Sequence, residues 1–209
     1  MHCELVKVCG MRDAENIREV EASALDMMGF IFYPKSSRYV SERPAYLPTK
    51  CKRVGVFVDQ PIEEVVQITQ DYALDIIQLH GHESTDFIHS LRSLCGDSIA
   101  IIKAFNIATK EDLDATTPYE GLVDYFLFDT KCQTVGGSGM HFDWTVLADY
   151  AGETPFLLSG GIGPDDAERI KSFNHPKCIG IDLNSRFEIE PGIKDIIKLK
   201  KFLNYGKQD

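Results

Sequence analysis

The stretch RVGVFVDQPIEEVVQITQDYALDIIQL, residues 53–79, indicates how this chain folds. Residues 53–58 form a short and nearly continuous apolar run, which is typical of a strand buried on both faces of a parallel sheet. Residues 62–72 follow with apolar side chains at helical spacing and two glutamates in the first turn. A second apolar run at 76–79 completes a strand–helix–strand order, which predicts a right-handed βαβ unit.

The same alternation extends along the whole chain. Strand-like runs occur at residues 5–9, 27–32, 53–58, 76–79, 99–105, 125–128, 156–159 and 178–183. Helical periodicity occurs at 62–72, 87–94, 165–173 and 193–203, with Ser84 and Pro164 suited to helix starts. Eight such units predict an α/β protein, a single-domain (β/α)₈ TIM barrel over residues 1–209. An open doubly wound sheet is the alternative, but no G-x-G-x-x-G follows the first strand.

Charge and cysteine content restrict the partners and the compartment. The 209 residues include 22 Lys and Arg against 32 Asp and Glu, a formal net charge of −10. Proteins that bind nucleic acid or anionic membrane surfaces are usually basic, so neither is expected as a partner. Every apolar run is shorter than the ~18 residues of a membrane span. The six cysteines form no C-x-x-C pair, which indicates reduced thiols and a cytoplasmic protein.

The first strand of a barrel is one place to look for chemistry, because catalytic groups lie at the carboxyl ends of the strands. Lys7 and Cys9 alternate with Val6 and Val8, so they share one face of this strand. A nearby lysine lowers the pKa of a thiol, which would suit Cys9 to act as a base or nucleophile. A small buried core cysteine is the alternative.

Asp129 ends the apolar run of the sixth strand, where an aspartate needs a reason because it disfavours strands. Apolar neighbours and a charged ligand would raise its pKa and suit it to act as a general acid. A carboxylate that caps nearby backbone amides is the alternative. The glycine-rich segment GGSG, residues 136–139, is either a loop that closes over a ligand or a plain linker.

The seventh and eighth strands end in SGGIGP (159–164) and IDLNSR (181–186). Glycines let a ligand approach the backbone amides, and a helix starting at Pro164 would direct its dipole near that ligand. The loops after these two strands form the recurrent phosphate site of the barrel fold. Together they predict a phosphate cradle, which needs no positive net charge because backbone amides bind the anion.

Three other features carry weaker signals. Arg38, after the second strand, either binds a carboxylate through both arms of its guanidinium or is an exposed, solvated side chain. His80 and His82 resemble a metal pair, but no third ligand stands at a telling spacing, so no metal site is predicted. Lys103, in the fifth strand, is either a general acid or a side chain that fills the interior.

With these pieces in place, the chain resembles the phosphoribosylanthranilate isomerases. The resemblance extends over nearly the whole chain, in order from the first strand to the last. It rests on the blocks KVCGM (7–11), GFIF (29–32) with SSRYV (36–40), VGVFV (54–58), QLHG (78–81), FDT (128–130), GGSG (136–139) with FDW (142–144), SGGI (159–162) and GIDLNS (180–185).

The resemblance implies a barrel enzyme of tryptophan biosynthesis that needs no cofactor and rearranges a small phosphoribosyl substrate, N-(5-phosphoribosyl)anthranilate, by an Amadori reaction. It implies that Asp129 protonates the ring oxygen of the sugar and that Cys9 removes the proton from C2. It also implies binding residues: Arg38 for the anthranilate carboxylate, His80 as a lining residue, Asp182 for the hydroxyls, and Gly160, Gly161, Asn184 and Ser185 for the phosphate. A monomer or homodimer is expected.

One departure from the family follows the eighth strand, where Ser-Ser-Gly is replaced by Asn184-Ser185-Arg186. The lost glycine is expected to restrict the backbone, and Arg186 either adds a cation or points to solvent. Two other functions stay open. One is a different phosphosugar-converting barrel enzyme, related to indole-glycerol-phosphate synthase, that uses Lys103. The other is a barrel that binds a phosphosugar without catalysis.

Overall fold

Eight parallel strands close into a barrel in the computed structural model, which describes residues 4–130 and 144–205. Each strand pairs with the next along the chain, and β1 pairs with β8. The strands are β1 (Leu5–Val8), β2 (Met27–Ile31), β3 (Lys52–Phe57), β4 (Ile76–Leu79), β5 (Ala100–Ile107), β6 (Tyr125–Thr130), β7 (Phe156–Ser159) and β8 (Cys178–Leu183). The closure confirms the predicted barrel and excludes the open sheet.

Helices and 3₁₀ segments connect most of the strands. The α-helices are α1 (Ala14–Glu21), α2 (Ile62–Asp71), α3 (Thr85–Cys95), α4 (Ala167–Ser172) and α5 (Ile196–Tyr205). The longer 3₁₀ segments are Lys110–Tyr119 after β5 and Trp144–Asp149 before β7. Residues 32–51, between β2 and β3, contain no helix. The GGSG segment at 136–139 lies outside the described residues.

Two helix starts follow the chemistry expected from the sequence. The Ser84 hydroxyl accepts a hydrogen bond from the backbone N–H of Phe87, which caps α3 as predicted. Pro164 begins a helical segment, although this is first a 3₁₀ turn, Pro164–Asp166, and only then α4. Proline suits this first position because it has no N–H to leave unpaired.

The helix predicted at residues 193–203 is wrong at its start. Glu188–Glu190 and Ile193–Lys194 form a short antiparallel hairpin, β9 and β10, and α5 begins only at Ile196. The reason lies in α1, where the Asn16 side chain donates to the carbonyl of Lys194 at 2.9 Å and accepts from its N–H at 2.7 Å. Both main-chain groups of Lys194 are therefore held in an extended segment.

The apolar core has two layers, because strand side chains alternate between the barrel interior and the surrounding helices. The larger layer lies between the strands and the helices. The smaller one fills the barrel interior and contains Met27, Val54, Ile76, Ile102, Ala104, Leu127 and Leu157. Polar residues follow at the carboxyl ends of the strands, above this interior layer. None of the helices in the described ranges is long and apolar enough to cross a membrane.

Candidate active site

A pocket of about 170 Å³ lies at the carboxyl end of the barrel. Its wall includes all the predicted site residues except Arg38: Cys9, His80, Asp129, Gly160, Gly161, Asp182, Asn184 and Ser185. These residues come from five different strands or from the loops after them, so closure of the barrel brings them together. Gln78, which the sequence did not single out, also lines this pocket.

A buried ion pair between β1 and β8 lies beside Cys9. Lys7 and Asp182 are register partners on β1 and β8, and Lys7 Nζ lies 2.9 Å from Asp182 Oδ1. Ser159 Oγ donates to the other carboxylate oxygen at 3.3 Å. Burial alone would lower the pKa of Lys7, but the Asp182 carboxylate and Cys9 together raise it above its ordinary value. Lys7 therefore carries its charge in the barrel interior.

Cys9 is almost completely buried, with 4% of its surface exposed. Gly29 makes room for it, because a Cβ at position 29 would lie 2.7 Å from Cys9 Sγ. Burial raises the pKa of the Cys9 thiol above its ordinary value, although Lys7 acts in the opposite direction. The expectation of a lowered thiol pKa is therefore wrong. Burial of the thiolate raises the pKa by more than the attraction of Lys7 lowers it. The negative charge of Asp182 nearby raises the pKa further.

His80 and Asp129 face each other across the pocket, with His80 Nε2 at 3.8 Å from Asp129 Oδ2. Burial and the ammonium of Lys7 lower the pKa of His80 to about 4. His80 is therefore a neutral imidazole near neutral pH. Gln78 Nε2 lies 3.4 Å from His80 Nδ1 on the other side of the ring. A neutral imidazole can donate a hydrogen bond from one nitrogen and accept one at the other.

The turn after β7 has the backbone expected of a double glycine. Gly160 and Gly161 have φ values of +95° and +61°, which strain any residue with a side chain. The adjoining amide of Gly163 is already bonded, because it donates to Asp166 Oδ2 at 2.8 Å. A ligand at this turn would therefore meet the Gly160–Gly161 backbone and not the amide of Gly163.

Arg38 donates two hydrogen bonds to one carboxylate, the pairing that the sequence offered for it. In this structure that carboxylate is Glu188 of β9. Arg38 Nε lies 2.8 Å from Glu188 Oε1, and Nη2 lies 2.6 Å from Oε2. Lys194 Nζ donates to the same Glu188 at 2.6 Å and to Asn184 Oδ1 at 2.9 Å. The sequence singled out neither Glu188 nor Lys194. Lys194 fell within the helix predicted at residues 193–203, so no hairpin was expected there.

Lys103 is neither a general acid at the pocket nor a filler of the barrel interior. Its register partner is Leu79, which packs in the outer core layer, so Lys103 points away from the interior. Its ammonium donates to the carbonyl of Gly81 at 2.7 Å and pairs with Glu83 at 3.1 Å. Lys103 thereby anchors the loop between β4 and α3.

Arg186 is exposed and does not line the pocket. It lies in the 3₁₀ turn Ser185–Phe187 and is not among the residues with positive φ, so the missing glycine places no strain there. His82 is 97% exposed and pairs with Asp59. Within residues 4–130 and 144–205, no group of three or more His, Cys, Asp or Glu side chains converges as metal ligands would.

Comparisons with known proteins identify one family and one fold. Residues 6–205 match the family described as N-(5'phosphoribosyl)anthranilate (PRA) isomerase. A Parabacteroides distasonis protein named N-(5'-phosphoribosyl)anthranilate isomerase is 54% identical over 205 residues, covering 95% of this chain and 91% of that protein. The solved phosphoribosyl anthranilate isomerase of Thermotoga maritima gives a TM-score of 0.82 at 31% identity, over 98% of both chains.

A second solved structure is a phosphoribosyl anthranilate isomerase in complex with reduced 1-(O-carboxyphenylamino)-1-deoxyribulose 5-phosphate. It gives a TM-score of 0.80 at 29% identity, again over 98% of both chains. The barrel, the family match and the named relatives agree, and the chain therefore belongs to the N-(5'-phosphoribosyl)anthranilate isomerase family.

Proposed function

We propose that this chain converts N-(5-phosphoribosyl)anthranilate into the 1-deoxyribulose phosphate derivative in tryptophan biosynthesis. The observation that carries the proposal is one pocket lined by Cys9, Asp129 and the Gly160–Gly161 turn, in a chain of this family. The pocket combines a thiol, a carboxylate and a turn open to an anion. An acid–base rearrangement of a phosphorylated sugar needs a base, an acid and a site for the phosphate, and these three features can supply them.

The proposed reaction uses Asp129 and Cys9 in sequence. Asp129 gives a proton to the ring oxygen, the C1–O bond breaks, and the nitrogen lone pair forms a Schiff base. The Cys9 thiolate then takes the proton from C2, and the electron pair moves to form an enolamine. The enolamine then loses the proton of its C2 hydroxyl and gains a proton at C1, which gives the ketone. Return of a proton from the Cys9 thiol to Asp129 through solvent restores both groups, so the overall reaction neither gains nor loses protons.

The charges around Cys9 support its role as a base. The charged Lys7 lies beneath the thiol and stabilises the thiolate form, although burial opposes it. Only a small part of the protein then carries the thiolate near neutral pH, and this thiolate is a strong base because its pKa is high. His80 is neutral and lies 3.8 Å from Asp129, so the imidazole adds no positive charge beside this carboxyl group.

The rest of the pocket, together with Arg38 outside its wall, would hold the substrate at its two ends. The Gly160–Gly161 turn, Asn184 and Ser185 would bind the phosphate, and Asp182 would bind the sugar hydroxyls. Arg38 would bind the anthranilate carboxylate through Nη1, since Glu188 occupies its Nε and Nη2. The solved relative that holds a reduced deoxyribulose phosphate compound supports this assignment of substrate class.

Further expectations accompany this proposal. Residues 1–209 act as one catalytic domain, without a cofactor, and the protein is a monomer or homodimer in the cytoplasm. Nucleic acid is not expected as a partner, because the net charge is −10.

The test follows the loss of anthranilate-type fluorescence after freshly made phosphoribosylanthranilate is added. Turnover by the wild type, and its near-complete loss in Cys9→Ser and in Asp129→Asn, would support both roles. Cys51→Ser is the matched control, because Cys51 lies just before β3 at the opposite end of the barrel. Binding of a product analogue without turnover would instead indicate a phosphosugar-binding protein, and absence of both would contradict the proposal.

A further inference from the structure

The β9–β10 hairpin places a fully buried ammonium group behind the pocket. Lys194 has 0% of its side chain exposed, and its Nζ donates to Asn184 Oδ1 at 2.9 Å and to Glu188 Oε1 at 2.6 Å. Asn184 lines the pocket, whereas Lys194 does not. We propose that Lys194 is a positioning residue, which fixes the Asn184 side-chain amide so that its NH₂ group faces a bound phosphate.

The orientation of the amide follows from the chemistry of its partner. An ammonium group has only hydrogen-bond donors, so the amide atom that it contacts must be the oxygen. Asn184 Nδ2 is then the opposite atom, and it makes no hydrogen bond within the described ranges. Without Lys194 the amide could turn its oxygen toward the ligand, and an oxygen repels a phosphate.

Gly10 completes the arrangement from the other side. A Cβ at this position would lie 2.7 Å from Asn184 Oδ1 and 3.4 Å from Lys194 Nζ. The amide oxygen and the ammonium therefore pack together against a residue with no side chain. A side chain at position 10 would therefore disturb the contact between the amide oxygen and the ammonium.

Lys194 acts through Asn184 and not by touching the ligand, because its ammonium is buried. Its charge is already balanced by Glu188, which also binds Arg38. The main chain of Lys194 is held separately by Asn16, so the hairpin does not depend on the ammonium. Lys194→Met should therefore fold, with Glu188 still paired to Arg38.

This inference rests on the proposed function, since it takes Asn184 to contact the substrate phosphate. The test is a double-mutant cycle of Lys194→Met and Asn184→Ser. A serine hydroxyl can donate or accept a hydrogen bond, so it needs no partner to orient it. The readouts are KM, kcat and competitive inhibition by inorganic phosphate.

We expect Lys194→Met to raise KM and weaken phosphate inhibition about tenfold, the size of a lost hydrogen bond to a charged group. We expect kcat to change by less than about twofold, because the reacting atoms are not touched. In the Asn184→Ser background the same substitution should change KM by less than about twofold. Equal effects in both backgrounds would show that Lys194 acts through charge or folding, and would overturn the inference.

A variant and a spectroscopic measurement complete the test. If Asn184→Asp leaves phosphate inhibition unchanged, the phosphate assignment in the proposed function fails. If Asn184→Asp abolishes inhibition by phosphate but Lys194→Met has equal effects with Asn184 and with Asn184→Ser, only the proposed role of Lys194 fails.

In the wild type, the Asn184 side-chain NH₂ resonances, identified by their loss in Asn184→Ser, should shift as inorganic phosphate is added. Absence of a shift would contradict the proposed orientation without requiring any Lys194 variant to fold.

Discussion

The neutral histidine at the pocket predicts how stability changes with pH. Burial and the ammonium of Lys7 lower the pKa of His80 to about 4, from roughly 6.5 in an unfolded chain. Between these values the unfolded chain binds a proton that the folded chain does not, so stability falls as pH falls. The contribution of His80 is complete above about pH 6.5 and is lost progressively down to about pH 4.

The magnitude follows from the size of the shift. A difference of about 2.5 pKa units corresponds to about 3 kcal/mol over the whole window. Integration from about pH 7 to about pH 5 gives about 2 kcal/mol. Because 28% of the His80 side chain is exposed and solvent screens its charge, we expect a loss of roughly 1–2 kcal/mol over that interval.

The assay is urea denaturation of the wild type and of His80→Asn at a series of pH values from about 7 to about 5. The free energy of unfolding should fall less steeply in His80→Asn, by roughly 1–2 kcal/mol over the interval. His89→Asn is the matched control, because His89 is exposed on α3, and it should leave the slope unchanged. Parallel curves for the wild type and His80→Asn would refute the lowered pKa.

Other predictions follow from neighbouring contacts. Gly29→Ala should push Cys9 aside and lower kcat by roughly 100-fold; a folded variant with wild-type kcat would contradict this packing. The ultraviolet thiolate absorbance of Cys9, measured against Cys9→Ser, should titrate above the ordinary pKa of about 8.5, and a thiolate at neutral pH would contradict it. Glu83→Ala leaves the Lys103 ammonium buried without its carboxylate and should cost about 3–5 kcal/mol in thermal or urea unfolding. Adding Lys103→Met should recover part of that loss and not all of it, because the backbone N–H groups of Asp59 and Gly81 also donate to Glu83; no recovery would show that the ion pair is not the cause.

The fold could be predicted because its signal is local and repeated. Each buried strand needs a continuous apolar run and each covering helix an apolar stripe, so residues 53–79 already carry the pattern of the whole barrel. The β9–β10 hairpin could not be predicted in the same way. Its residues have helical periodicity, and the bonds that keep Lys194 extended come from Asn16, 178 residues away in the chain.

The wall of the pocket was also predictable, because parallel strands place their carboxyl ends at one end of a barrel. Cys9, Asp129 and Gly160 meet there as that rule requires. The direction of Lys103 was not predictable from its strand alone, since both faces of a barrel strand are apolar in sequence. Only the register with Leu79 shows that its ammonium lies outside the barrel, beside Glu83.

The sequence by itself determined the barrel, the family and eight of the polar or glycine residues that line the pocket, because these depend on residue type and order along the strands. Tertiary structure decided how those residues are charged and oriented. Burial raises the pKa of Cys9 against the attraction of Lys7, and Glu188 and Lys194 engage Arg38 and Asn184 from a hairpin near the other end of the chain. Desolvation and long-range contacts exist only in the folded chain, so no spacing of residues in the sequence could reveal them.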